Sequence, residues 1–115
     1  MALTIDELIE RVAHAHDAAS SKYNIALDIS TFFDDYSFDG CTLGTDNALY
    51  FLNKQVKCIR ILNLTDDDRL AYGAKLNLYP KGLHEFPVTI RAWNSSFALA
   101  ITEATLRAIK ELNNG

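Results

Sequence analysis

The first part of the chain alternates apolar and polar residues at the spacing of an amphipathic helix. Thr4, followed three residues later by Glu7, is typical of a capping box at a helix start. Charged residues occupy the opposite face of this predicted helix, which we expect to span residues 4–20. The predicted apolar face consists of Ile5, Leu8, Ile9, Val12, Ala15, His16 and Ala19.

The segment 21–54 has a less regular pattern and leaves alternatives open. Residues 24–36 fit either a second short helix or a strand that leads into one. Residues 37–47 contain glycines among polar residues, which predicts a loop or a short hairpin. Residues 48–52 form an apolar patch whose secondary structure the pattern does not decide.

From residue 56 the pattern becomes that of strands: residues 56–64 are rich in Val, Ile and Leu, and the later segments alternate apolar and polar residues with a period of two. Three such segments, 56–64, 70–79 and 86–93, predict an antiparallel meander of three or four strands. The first segment is apolar on both faces, which favours a covered, sandwich-like sheet. Pro87 lacks a backbone N–H, so its strand is expected to begin at an edge. The alternating residues of the predicted core face are Leu70, Tyr72, Ala74, Leu76, Leu78, Phe86, Val88, Ile90 and Ala92.

The carboxy-terminal segment predicts a final helix that begins at Ser95 or Ser96 and is apolar around most of its circumference. One side of this helix would face the sheet. A second apolar patch, formed by Leu99, Leu106 and Ile109, must also be covered. We therefore predict a homo-oligomer, specifically a two-fold dimer, with this helix or an edge strand at the interface. The alternative is that the first helix covers the patch within one chain.

These elements together predict a single α+β domain over residues 1–115, in which the meander packs against an N-terminal and a C-terminal helix. With 49% hydrophobic residues, the chain can bury a core without disulfide bonds. Eleven Lys and Arg against 15 Asp and Glu give a net charge of −4. That charge argues against direct nucleic-acid binding through the whole surface, although it allows a local basic patch.

The sequence also bears on location in the cell. It begins without the pattern of a secretory signal, and it contains no apolar run long enough to span a bilayer. Cys41 and Cys58 do not have the spacing of paired metal ligands, and a reducing compartment is favoured. We therefore expect a soluble, intracellular protein.

The end of the sequence resembles a known family. The segment from Phe86 to Ile109 closes a strand, passes a polar turn and opens an Ala-rich helix with the sequence SSFALAITEATLRAI. This segment is similar to the C-terminal half of the small bacteriophage proteins grouped as the phage ABA-sandwich domain. Of the tryptophan-rich sheet segment common in that group, the chain keeps only Trp93. The resemblance implies a phage or prophage accessory protein in the host cytoplasm and supplies no catalytic motif.

The titratable residues predict no catalytic site, no cofactor and no metal ion. His14 and His16 would point about 160° apart on a helix, so they cannot share one ion. A zinc site on that helix would need a further ligand, for which His84 is available. The acidic clusters at 34–35 and 66–68 fit turn chemistry, with mimicry of nucleic-acid phosphates as a minority interpretation.

One surface remains as a candidate binding site, namely the face of the meander opposite the core. Cations, aromatic rings and hydrogen-bonding groups alternate there. Arginine beside an aromatic ring can stack a flat group or hold a phosphate. The alternative is an ordinary solvated sheet face. The predicted binding residues are Lys75, Tyr79, Arg91 and Trp93, with Asn77 and Thr89 beside them.

These observations predict a non-enzymatic phage accessory protein that acts by stoichiometric binding. Its partner would be a host defence protein, which it inhibits, or a small anionic ligand, which it sequesters. Two alternatives stay open. One is a small enzyme whose site is shared between subunits and uses His84, Glu85 or His14. The other is a structural phage component.

Overall fold

The computed structural model describes residues 4–15, 19–33, 44–67 and 71–114. Within these ranges the chain forms helices and an antiparallel sheet, which confirms the predicted α+β class. The elements in chain order are α1 (Ile5–Ala13), α2 (Ala19–Phe32), α3 (Thr45–Gln55), β1 (Ile59–Asp67), β2 (Ala71–Tyr79), β3 (Val88–Asn94) and α4 (Phe97–Asn114).

The three strands form the predicted meander, and β2 lies between β1 and β3. Directly paired residues of antiparallel strands carry their side chains on the same face. The row Leu62, Leu76 and Ile90 faces the core, and Leu76 is fully buried there. The odd-numbered residues of the strands therefore form the opposite face, which we call the outer face.

The last helix, α4, is the centre of the fold. Its residues 98–106 are all buried, so the helix is covered around its whole circumference for more than two turns. It contacts β2 and β3 on one side and α1 and α3 on the other. Despite this apolar character, no helix in the described ranges is long and apolar enough to cross a membrane.

The cover on α4 corrects the predicted oligomer interface. Leu99 and Leu106 are fully buried within one chain, and Ile109 is half-buried. The alternative from the sequence was cover by the first helix within one chain. In the structure α1 contacts α4, and α3 contacts it as well. A side chain that is already buried in this way cannot contact a second subunit. Leu99 and Leu106 are therefore core residues and are not available to a subunit interface.

The capping box of α1 is confirmed, but the helix is shorter than predicted. The Glu7 N–H donates to Thr4 Oγ1 over 3.1 Å, and Glu7 Oε1 accepts from the Thr4 N–H over 3.2 Å. The helix ends at Ala13 instead of near residue 20. Its Val12 carbonyl accepts a hydrogen bond from the Asn94 side chain over 2.9 Å. This tertiary bond satisfies a carbonyl that a longer helix would have used for its own next turn.

The described part of the undecided middle segment is mainly helical. Residues 19–32 form α2, and residues 48–52 lie inside α3. Most of the loop predicted at 37–47 lies outside the described residues. Single positions singled out from the sequence also lie outside them: His16, Asp34, Asp35, Cys41, Asp68 and Leu70.

The strand boundaries differ from the pattern at Phe86, which was expected on the core face. Its side chain is 97% exposed, and β3 begins only at Val88. Pro87 cannot donate to the ladder, so pairing with β2 starts after it, at the pair Val88 and Leu78. The preceding turn is closed by a hydrogen bond from the Gly82 N–H to the Tyr79 carbonyl.

A buried polar cluster joins the end of β3 to α1 and α4. The Asn94 amide donates to the Val12 carbonyl and, over 3.2 Å, to Glu103 Oε1. Its own oxygen accepts from the Ser95 N–H over 2.8 Å. Glu103, 5% exposed, also accepts from Arg107 Nε over 3.1 Å. The cluster therefore holds a carboxylate inside the protein with a cation and an amide as partners.

Candidate functional site

The outer face of the sheet is ordered in cross-strand rows. Lys75 pairs with Arg91 in one row, and in the adjacent row Gly73 pairs with both Trp93 and Thr65. Alternation along the strands, which the sequence shows, puts these residues on one face. The register, which the structure supplies, brings Lys75, Arg91 and Trp93 together in neighbouring rows.

Trp93 lies across the backbone of β2 at Gly73. A Cβ atom at position 73 would stand 3.0 Å from the ring carbons Cη2 and Cζ3 of Trp93, which is tighter than ordinary van der Waals contact. The glycine therefore permits a closer approach of the ring than a larger residue would. The ring rests against the strand and is still 52% exposed. Its free surface is available to stack on a flat group.

Lys75 and Arg91 stand directly opposite each other on neighbouring strands. Like charges in this arrangement repel and destabilise the pair. Neither side chain forms an ion pair with any residue in the part of the chain that the structure describes. The result is a local positive potential on a protein whose net charge is −4. An anion bound beside these two residues would relieve their repulsion.

A groove of about 200 Å³ lies along these two rows. Pockets that enclose a drug-sized ligand measure about 300–1,000 Å³. The groove therefore has room for one charged or planar group and not for a whole large ligand. It is lined by Thr65, Gly73, Ala74, Lys75, Arg91, Ala92 and Trp93.

Tyr79 shares the outer face but does not line the groove. It lies four residues along β2 from Lys75, which corresponds to about 13 Å. The row between them is occupied by Asn77 and Thr89, where Thr89 Oγ1 donates to Asn77 Oδ1 over 2.8 Å. Three of the four predicted binding residues thus line one groove, and Tyr79 is separate from it.

Four lining residues of the groove are missing from the predicted binding residues, and two of them, Gly73 and Thr65, lie on the outer face. A glycine inside a strand often marks the close approach of another group, so Gly73 could have been predicted as part of the site from the sequence. Thr65 falls in the acidic segment for which the sequence predicts a turn. The structure instead continues β1 to Asp67, which puts Thr65 on the outer face beside Gly73.

A second cleft, of about 270 Å³, is lined by residues of β3 and α4 and shares Arg91 with the groove. Its other cations already have carboxylate partners. Arg107 bonds to Glu103, and Lys110 bonds to Asp6. These pairs reduce the attraction of the second cleft for an anion. We therefore take the groove on the outer face as the candidate site.

The two described histidines, His14 and His84, lie in different parts of the fold. His14 follows α1, and its Nδ1 lies 2.9 Å from the Glu10 carbonyl oxygen. His84 and Glu85 are exposed in the connection between β2 and β3. Among the described residues, no three side chains of His, Cys, Asp or Glu lie close enough together to hold a metal ion.

Comparisons of the chain with protein-family models, curated proteins and solved structures find no match. The similarity of the segment Phe86–Ile109 to the phage ABA-sandwich domain therefore stays a prediction. Function is accordingly inferred from the geometry of the outer face.

Proposed function

We propose that this protein acts without catalysis, by stoichiometric binding of an anionic partner in the groove on its outer face. The observation that carries the proposal is the direct pairing of Lys75 with Arg91 beside the exposed ring of Trp93. Two neighbouring cations without a carboxylate partner among the described residues, next to a free aromatic surface, suit a ligand that combines negative charge with a flat ring.

The size of the groove favours a small anionic ligand of this type, such as a mononucleotide, with part of the molecule left in solvent. A host defence protein that presents an acidic side chain is the alternative partner, and it would use the same residues. A phage origin and action in the host cytoplasm belong to the proposal through the resemblance described above. A shared-site enzyme and a structural phage component are the alternative functions.

The test uses the fact that Trp93 is the single tryptophan of the chain. Its fluorescence therefore reports directly on the groove. Titration with a mononucleotide, with the nucleoside lacking phosphate and with inorganic phosphate separates the contributions of ring and charge. We expect the mononucleotide to quench or shift the emission more strongly than either part alone, because stacking and charge pairing then act together.

Charge-reversal variants test whether Lys75 and Arg91 bind the ligand. Arg91→Glu and Lys75→Glu should each weaken binding about ten- to a hundredfold, as expected for the loss of a hydrogen bond to a charged group. Lys81→Glu is the matched control, since it makes the same charge change in the exposed turn between β2 and β3. The proposal is wrong if both groove variants bind like the parent, or if the protein converts the ligand to product.

A further inference from the structure

The strand β1 has one edge without a partner in the described ranges. It is nine residues long and pairs with β2 alone among the described strands. Apolar side chains along it are open to solvent: Ile59 is 53%, Ile61 46% and Leu64 43% exposed. A long apolar edge strand presents unpaired backbone groups and is a template for pairing with another strand.

The sequence of β1 is complementary to itself in antiparallel orientation. When two copies overlap along the full strand, Asn63 pairs with its own equivalent at the centre of the register. Arg60 then stands opposite Asp66 of the second copy, and Leu62 opposite Leu64. All four positions lie on the core face, so each charge meets an opposite charge and each leucine meets a leucine. The two-fold axis produces each of these pairs twice.

The two charged residues are available for such pairing. The Arg60 guanidinium bonds to Asn53 and, over 3.2 Å, to the Val56 carbonyl, which uses some of its five N–H donors and holds the side chain in place. Asp66 is exposed and forms no ion pair with another described residue. The Asp66 carboxylate of the second copy would accept from the N–H donors of Arg60 that these two bonds leave free.

The other edge strand, β3, does not have this property. Full overlap of β3 with its own copy is centred on Arg91, which would place two guanidinium groups directly opposite each other. That contact is repulsive. Pro87 also shortens the pairing edge by removing a donor just before the strand. The two edges therefore differ, and self-association is favoured at β1.

We infer that two copies of this chain associate through β1, antiparallel and centred on Asn63, into one continuous sheet with three strands from each copy. This interface uses an edge strand, the second location predicted from the sequence, whereas Leu99 and Leu106 of α4 are buried within the chain. On the outer face, Ile61 of the second copy stands opposite Thr65, a residue that lines the groove. The dimer thus extends the groove with a residue from the second copy. The inference is independent of the proposed ligand.

Sedimentation equilibrium of the parent and of charge variants tests this pairing. We expect a monomer–dimer equilibrium in the parent. Asp66→Arg should weaken dimerisation about tenfold or more, because two attractive cross-strand pairs become repulsive. The double variant Arg60→Asp with Asp66→Arg should restore the dimer, since the swapped charges are again opposite. Glu10→Arg, an exposed charge reversal on α1, is the matched control and should dimerise like the parent.

The register has its own test, which does not depend on replacing Arg60. In a background with both native cysteines changed to serine, Asn63→Cys should form a disulfide-linked dimer on mild oxidation, because residues paired across a two-fold axis lie within disulfide distance. Asn77→Cys, on the central strand, is the control and should form no disulfide-linked dimer under the same conditions. Only monomer in the parent at about 100 μM would overturn the inference, since that exceeds the dissociation constants of specific dimers by a wide margin. A dimer that Asp66→Arg leaves intact and Asn63→Cys fails to link would overturn it as well.

Discussion

Replacing Asn94 by alanine should be among the most damaging changes of a polar residue in this protein. Asn94 is 8% exposed and makes three hydrogen bonds of 2.8–3.2 Å with the Val12 carbonyl, Glu103 and the Ser95 N–H. The alanine variant removes all three. It also leaves the buried Glu103 carboxylate with Arg107 as its remaining partner.

The loss of unfolding free energy in Asn94→Ala depends on which hydrogen bonds the former partners of Asn94 keep. A buried polar group left without a partner costs about 1–3 kcal/mol. The Val12 carbonyl keeps a weaker bond from the Ala15 N–H at 3.2 Å, and Glu103 keeps its cation, so the full cost does not apply at either acceptor. We therefore expect the free energy of unfolding to fall by about 2–4 kcal/mol. Urea denaturation followed by circular dichroism measures this difference.

The matched control is Asn77→Ala on the adjacent strand. Asn77 accepts one hydrogen bond, from Thr89 on the outer face, where water can replace the lost partner. This variant should change the free energy of unfolding by about 0.5–1 kcal/mol. If Asn94→Ala lies within about 0.5 kcal/mol of the parent, the buried cluster does not stabilise the junction of β3, α1 and α4, and the reasoning is refuted.

Three further predictions concern the core, the groove and the first helix. Leu106→Ala should lower the free energy of unfolding by about 2–5 kcal/mol without changing the oligomeric state, since its side chain is buried within one chain; denaturation and sedimentation check both parts. Gly73→Ala should displace the Trp93 ring and shift its fluorescence maximum, because a Cβ atom there would stand 3.0 Å from the ring. An unchanged emission spectrum would contradict the close contact of the Trp93 ring with the β2 backbone at Gly73. His14→Ala should leave the free energy of unfolding within about 0.5 kcal/mol in denaturant titrations, because the residue is exposed.

The sequence alone determined the local features of the fold. The capping box at Thr4 and Glu7 is a short-range pattern and appears as predicted. The alternation in β2 and β3 fixed which residues share a face, because successive side chains of a strand point in opposite directions. Alternation by itself therefore places Lys75, Arg91 and Trp93 on one outer face, although it does not determine their cross-strand partners.

Tertiary contacts decided what the end of α1 bonds to and what covers α4. At the end of α1 the Val12 carbonyl is hydrogen-bonded to Asn94, a residue far away in sequence, so helical periodicity in the first segment could not reveal this contact. The apolar circumference of α4 showed that the helix is covered on several sides, but a second subunit and neighbouring helices bury the same kind of surface. Only the packing of α1 and α3 against α4 made Leu99 and Leu106 core residues. The hydrophobic effect is non-directional, so a sequence specifies that such a patch is buried without specifying by what.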